Sequence, residues 1–466
     1  MPSNRTNVVF ILTDDQGVWA AGCYGNAEIR TPNIDRLAAE GVRFENFFVA
    51  SPVCSPSRAA FLTGRLPSQH GVHDWIREGN VGPAAATYLR GEVGYTDILA
   101  ANGWVCGLSG KWHLGDSQVP QQGFEHWFAH QSGGGPYNDA PMVRNGKLVS
   151  EPGYVTSVIT DEALAFLDTH GRAAHPLYLS VHYTAPHSPW NGHPQEIVDS
   201  YDACPFDSCP QEPRHPWAGR LTDECLGDRE MLKGYFAAVT AMDADVGRIL
   251  AKLGDLDIRD ETLVIFTSDN GFSCGQHGFW GKGNGTYPLN MYESSIKVPF
   301  IASQPGRIPA GATYRGLVSA YDVMPTLLEY LDAPLPQDRN LPGRSFVPAL
   351  LGTSAGDREE IVIYDEYGPT RMIRSAKWKY VHRHPDGPHE LYDLVNDPDE
   401  RKNLVDAAAL RPRVAEMRER LRAWFVAYVE PDRDGQARDV TGRGQLRPLS
   451  PAPQADEFSP LTATDS

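Results

Sequence analysis

This chain of 466 residues lacks the marks of several large protein classes. No apolar run reaches the roughly 20 residues that a membrane-spanning helix needs. The first strand-like run begins at Asn7, which leaves no space before it for a charged leader, an apolar core and a cleavage site. A cytoplasmic chain with no membrane partner is the expectation. Basic stripes are missing as well. Lys and Arg number 42 against 59 Asp and Glu, a net charge of −17, which argues against a nucleic-acid partner. The seven cysteines, Cys23, Cys54, Cys106, Cys204, Cys209, Cys225 and Cys274, are odd in number and follow no regular framework. They include no C-x-x-C pair, so neither a disulfide scaffold nor a zinc site is implied. Internal repeats, heptads and a dinucleotide fingerprint are absent too.

What the chain does have is a repeated design of apolar run followed by polar cluster. Asn7 to Leu12 leads into Thr13-Asp14-Asp15-Gln16-Gly17, and Thr262 to Thr267 leads into Ser268-Asp269-Asn270-Gly271. Trp104 to Leu108 leads into Gly110-Lys111-Trp112-His113, and Leu177 to Val181 leads into His182-Tyr183-Thr184-Ala185-Pro186-His187. Helical segments such as Pro32 to Glu40 and Met231 to Leu253 alternate with these strands, which predicts an α/β fold with a largely parallel core. In such a sheet, ligands bind in the crevice outside the strand carboxyl ends, so the four clusters are expected to converge there.

Cys54-Ser55-Pro56-Ser57-Arg58 is the most specific motif. Pro56 and the run Ala59-Ala60-Phe61-Leu62 predict a helix starting just after Cys54 and ending near Gly64, with Cys54 at an end that favours negative charge. Asp14, Asp15, Asp269 and Asn270 offer only hard oxygen ligands, which suit calcium or magnesium better than zinc. The C-x-P-S-R pattern resembles the nucleophile motif of type I sulfatases, in the alkaline-phosphatase-like superfamily. The resemblance runs from Asn7 to about Leu404, with T-P-N-I-D-R-L-A-A-E-G-V-R-F from Thr31 and E-L-Y-D-L-V-N-D-P-D-E-R-K-N-L from Glu390 as further marks.

That resemblance implies a large mixed, mostly parallel sheet sandwiched by helices. It also implies hydrolysis of a sulfate monoester through formylglycine, made from Cys54 by a formylglycine-generating enzyme. Calcium would lie among Asp14, Asp15, Asp269, Asn270 and the modified Cys54, with magnesium as the alternative ion. Arg58 would hold the formylglycine hydrate. Lys111 and Lys282 would bind sulfate, His113 would serve as base for release of sulfate, and His187 would protonate the departing alcohol. Relatives with the same motif cleave phosphonate monoesters or phosphodiesters, which is the alternative activity. A metal- or glycan-binding chain with an unconverted Cys54 is a third reading.

Aromatic and polar clusters suggest a sugar-binding rim: His73, Asp74 and Trp75, then Trp190, with His182 and His277 as further substrate-binding candidates. They favour a sulfated carbohydrate as substrate. The Pro-rich stretch from Tyr201 to Gly227, which holds Cys204, Cys209 and Cys225, reads as a loop over the crevice. The main domain is expected over residues 1–360. A smaller C-terminal domain of antiparallel sheet plus helix is expected over 361–431, with short strands at Met372-Ile373 and Trp378 to Val381 and a helix from about Leu410 to Tyr428. Residues 432–466 are rich in Gly, Pro, Ser and Thr and read as a mobile tail.

Overall fold

The computed structural model describes residues 6–353, 358–365, 369–438, 441–452 and 454–459. Its frame is a ten-stranded sheet. The central strand, Asn7–Thr13, is buried along its whole length. It lies parallel to Leu177–His182 on one side and Thr262–Ser268 on the other. Val105–Lys111 adds in parallel beyond Leu177–His182, and His126–His130 adds beyond that. Antiparallel strands extend the sheet at both sides, so it is mixed with a parallel middle.

Side chains alternate along the central strand. Val8, Phe10 and Leu12 enter one apolar core, while Val9 and Ile11 enter the core on the other face. A strand covered on both faces needs a continuous apolar run, which is what Val8 to Leu12 provides. On one face lie the helices Pro32–Ala39, Val155–His170 and the 27-residue Arg229–Asp255. The last of these starts at Asp228, whose carboxylate accepts hydrogen bonds from the amides of Glu230 and Met231. Cys54–Thr63, Tyr95–Ala101 and Val323–Tyr330 cover the opposite face.

A four-stranded antiparallel sheet follows: Glu360–Tyr364, Thr370–Ser375, Trp378–Arg383 and Glu390–Asp393. Helix Arg411–Tyr428 lies across it through Met417, Leu421 and Phe425. Lys379 and Arg383 donate from this sheet to the carbonyls of Met291 and Leu289, a few residues past Lys282.

The mobile-tail reading does not hold for the described residues after 432. Gln445, Glu457 and Phe458 are buried, and Gln445 forms bridges with both Ile76 and Phe458. Arg438 and Glu457 make a buried ion pair at 2.6 Å. The tail's polar composition misleads because its polar groups are satisfied against the body of the protein rather than by water. The rest of that expectation, at 439–440, 453 and 460–466, lies outside the described residues. The Tyr201 to Gly227 stretch is also placed differently from its reading. It contains helix Arg220–Cys225, and Tyr201, Phe206, Cys209 and Cys225 join the aromatic core under the long helix instead of covering the crevice. All seven cysteines are free. No helix among the described residues is long and apolar enough to cross a membrane.

Candidate active site

Because the four central strands are parallel, their carboxyl ends share one edge of the sheet. Asp14 and Asp15 follow the central strand, Asp269 and Asn270 follow Thr262–Ser268, Lys111 and His113 close Val105–Lys111, and His187 follows Leu177–His182. Asp15 and His113 take left-handed backbone conformations, φ 65° and 56°, in the turns that leave their strands. Such conformations cost energy in a non-glycine residue and cluster where a site dictates the turn.

Helix Cys54–Thr63 points its first residue at this edge and ends at Gly64, with all ten residues buried. The Cys54 Sγ donates to Asp14 Oδ1 at 3.4 Å, and Lys282 Nζ lies 2.8 Å from the same sulfur. Lys282 also donates to Asp15 Oδ1 at 2.5 Å, and Lys111 pairs with Asp14. Arg58, one turn into the helix, donates to Asp269 Oδ2 at 2.8 Å and to the Lys111 carbonyl at 2.9 Å. Three carboxylates and three cations thus pair off, buried, at one place.

Their protonation follows from that pairing. Burial alone would raise Asp14, but Lys111, His187, Arg58 and Lys282 together hold it well below the usual carboxylate range. Burial and the Asp14 charge push Asp269 upward. Burial works against charge on Lys282, yet Asp15, Cys54 and Asp14 carry it well above the ordinary lysine value. Burial and then Asp14 push the Cys54 thiol up to about 12.

One ligand atom each from Asp14, Asp15, Cys54 and Asp269 lies within 4.8 Å of the others, and all four residues are buried. Asn270 adds an oxygen: its Nδ2 donates to Asp15 Oδ1 at 2.7 Å, while its buried Oδ1 has no hydrogen-bond partner. A buried carbonyl oxygen left over beside clustered carboxylates is the donor that a hard cation takes. The donor set fits a metal.

Two histidines face the same cavity, which holds about 410 Å³. His113 Nε2 lies 2.9 Å from the Ile76 carbonyl, which requires the proton on that nitrogen and leaves the buried, unpartnered Nδ1 as the acceptor. Burial, then Lys111, keeps this ring neutral by lowering its pKa well below the ordinary value. Ser55 locks the arrangement, donating to the His113 carbonyl at 2.9 Å and accepting from the Ile76 amide at 3.1 Å. His187 donates from Nδ1 to the Ser188 carbonyl at 2.7 Å, and its Nε2 lies 3.8 Å from Asp15.

Of the residues proposed for a sugar rim, Trp75 alone lines this cavity. His73 is wholly buried, with its ring 2.8 Å from the Arg433 carbonyl, and burial lowers it to about 3. Asp74 is buried, accepting from the amides of Trp75 and Gly444. Trp190 packs against Phe272 and Trp280 and donates to the Pro186 carbonyl. His182 bonds the Lys111 carbonyl behind the site, and His277 stacks on Tyr292 with centroids 3.9 Å apart.

Sequence reading also missed several residues. Arg77 and Asn284 line the cavity, and so does the turn Ser132-Gly133-Gly134. A Cβ on Gly133 would sit 2.2 Å from the His113 ring, and one on Gly134 would sit 3.0 Å from the His187 ring. The glycine run was the available signal, since only glycine lets backbone approach both rings so closely.

Known proteins resemble this chain along most of its length. A relative from Bacteroides thetaiotaomicron, described as N-acetylglucosamine-6-O-sulfatase, is 27% identical over 93% of this chain and 88% of its own length. Human arylsulfatase A is 31% identical over 86% of this chain and 84% of that protein. A structure solved with its substrate, D-glucosamine-2-N,6-O-disulfate, superposes with a TM-score of 0.79 at 26% identity, covering 92% of this chain and 99% of that one. Residues 275–426 match the model described as N-sulphoglucosamine sulphohydrolase, C-terminal. The Sulfatase family model matches residues 6–333, and with it the chain belongs to the sulfatase family of sulfuric ester hydrolases.

Proposed function

We propose that the chain removes sulfate from a sulfated carbohydrate, using a formylglycine made from Cys54 and a calcium ion held by Asp14, Asp15, Asp269 and Asn270. The observation that carries this is the convergence on Cys54 of Lys282, Asp14 and Arg58-held Asp269 at the floor of an open cavity with an aromatic side chain, Trp75, at its mouth. Hard oxygen donors favour calcium, with magnesium the other candidate. A bound divalent ion would polarise the sulfate and the oxygen at position 54. The hydrate of formylglycine supplies the attacking hydroxyl, and a formylglycine-generating enzyme is the maturation partner this requires.

The chain's own residues do the rest. Lys111 and Lys282, already gathered at the sulfur of Cys54 and at Asp14, offset charge on the sulfate oxygens. His187 holds one nitrogen on the Ser188 carbonyl, so its other nitrogen is the one able to hand a proton to the departing alcohol oxygen. His113, neutral and with Nδ1 unengaged, takes the proton released as sulfate leaves position 54. Arg58 braces the floor through Nε and Nη1, which bind Asp269 and the Lys111 carbonyl, and its buried, unpartnered Nη2 is the donor left to hold the hydrate. The sulfated sugars acted on by relatives, and the indole of Trp75 in the cavity lining, support a carbohydrate substrate.

The test is mass spectrometry of the Cys54 peptide from protein made with a formylglycine-generating enzyme, followed by turnover of sulfated sugars, an aryl sulfate and an aryl phosphonate monoester. An aldehyde at position 54 and release of sulfate from sugars are expected. An unmodified thiol beside a fully converted control sulfatase would remove the nucleophile, and a preference for the phosphonate would move the activity to the alternative class.

A further inference from the structure

The cation that stands apart in this cavity is Arg77. Arg58, Lys111 and Lys282 each pair with a carboxylate at the floor, whereas Arg77 at the mouth pairs with none of the described carboxylates. Its Nη1 donates to Ser459 Oγ at 2.7 Å and reaches the Arg443 carbonyl at 3.5 Å. Both partners belong to the segment after 432, whose described residues form a strap across the body of the protein. Because their interactions occupy one nitrogen of the guanidinium, the remaining donors stay open to the cavity and to solvent.

The strap fixes the backbone around Arg77 on both sides. The Gln445 amide donates to the Trp75 carbonyl at 2.8 Å, and the Gln445 carbonyl accepts from the Arg77 amide at 2.9 Å. Gly444, at φ +102°, lies so close that a Cβ there would be 2.6 Å from Arg77 Cβ and 3.1 Å from the Trp75 ring. Between the two rim residues sits Ile76, whose carbonyl holds His113. One short stretch of backbone therefore carries an indole, the support of the base and an uncommitted guanidinium, all at one mouth. In a protein of net charge −17, a preorganised cation set outward from the sulfate pocket attracts a second negative charge on the same ligand.

We propose that Arg77 and Trp75, clamped by the strap, form a second anion subsite that selects saccharides carrying another acidic group beside the scissile sulfate. Trp75 offers its face to the ring while Arg77 binds the added sulfate or carboxylate. This rests on the carbohydrate reading above and narrows it to polyanionic sugars.

The experiment compares kcat/KM on three probes at low ionic strength: 6-O-sulfated N-acetylglucosamine, the N,6-O-disulfated sugar, and a disaccharide joining the 6-O-sulfated sugar to a uronic acid. The native enzyme is expected to favour one or both doubly charged probes at least tenfold. Which one it favours identifies the added group as sulfate or carboxylate. Arg77→Ala should reduce that ratio toward one through KM, Arg77→Lys should retain part of it, and rising salt should shrink it in the native enzyme. Equal turnover of all three probes by the native enzyme, or an unchanged ratio in Arg77→Ala, overturns the subsite while leaving the carbohydrate reading intact. Turnover of an aryl sulfate with no release from any of the sugars overturns both.

Discussion

The floor and the mouth of the cavity are built on opposite plans. At the floor, Asp14, Asp269, Lys111 and Arg58 are buried and bonded to one another, each at the end of a strand or within the helix that begins at Cys54. At the mouth, Arg77 is exposed and Trp75 half-buried, on a loop held by a strap from the far end of the chain. The floor's charges satisfy each other before any substrate arrives, so its chemistry is preorganised and tolerates little change. The mouth leaves donors unspent, so it can discriminate among ligands without touching the reaction.

The sharpest way to break the contrast is at Cys54. Cys54→Ala is expected to reduce kcat by about 10⁴-fold or more, because no other floor residue replaces the nucleophile. Residual turnover near the native rate in stopped or continuous assays would mean that the floor is not where the chemistry occurs. A smaller effect is expected at the glycine turn that lines the cavity beside His113. Gly133→Ala inserts a Cβ within 2.2 Å of the His113 ring, which must tilt from the Ile76 carbonyl. Loss of a positioned base predicts a fall of about 10²-fold in kcat with KM largely retained, read by steady-state kinetics on an aryl sulfate. A rise in KM alone would assign that turn to the mouth instead.

The smallest expected effect is on stability, at the junction of the two regions. Glu92 pairs with Arg65, just past the Cys54 helix, and with Arg433 at the start of the strap, both at 2.7 Å. Burial pulls its pKa upward, but Arg65 and Arg433 outweigh that and hold it below 4.5. A depressed carboxylate contributes stability that is present above its unfolded value and lost as pH falls through its folded one. Melting temperature should therefore drop as acid is added below about pH 4.5. Glu92→Gln should lose about 1 to 3 kcal/mol at neutral pH and flatten this part of the acid response. An unchanged acid profile in that variant would show the junction to be inert.

The floor was legible in the sequence because its rules are local. An apolar run of strand length followed by acids or by Lys-x-His states both the element and the polar group at its end, as at Val8 to Asp15 and Thr262 to Asn270. The mouth was not legible, for the opposite reason. His73, Asp74 and Trp75 adjoin in sequence, yet His73 bonds a carbonyl 360 residues away and Asp74 an amide 370 away, leaving Trp75 to face the cavity. Aromatic composition around Trp190 looked the same whether it served a rim or an aromatic core with Trp280. The tail's buried Gln445 and Glu457 read as solvated polar residues, since nothing local announces their partners at Gly71 and Arg438. Arg77 carried no motif at all.

The depth of Cys54 also sets a clock. Lys282, which roofs its sulfur, lies 228 residues further along the chain. At a synthesis rate of about 5 to 20 residues per second, the ribosome takes roughly 10 to 45 s to make that stretch. On the formylglycine reading proposed above, the enzyme that would oxidise Cys54 has that interval, before Lys282 is made and can close over the sulfur, in which to find its target. Slower translation should then raise the fraction of Cys54 converted, on that reading.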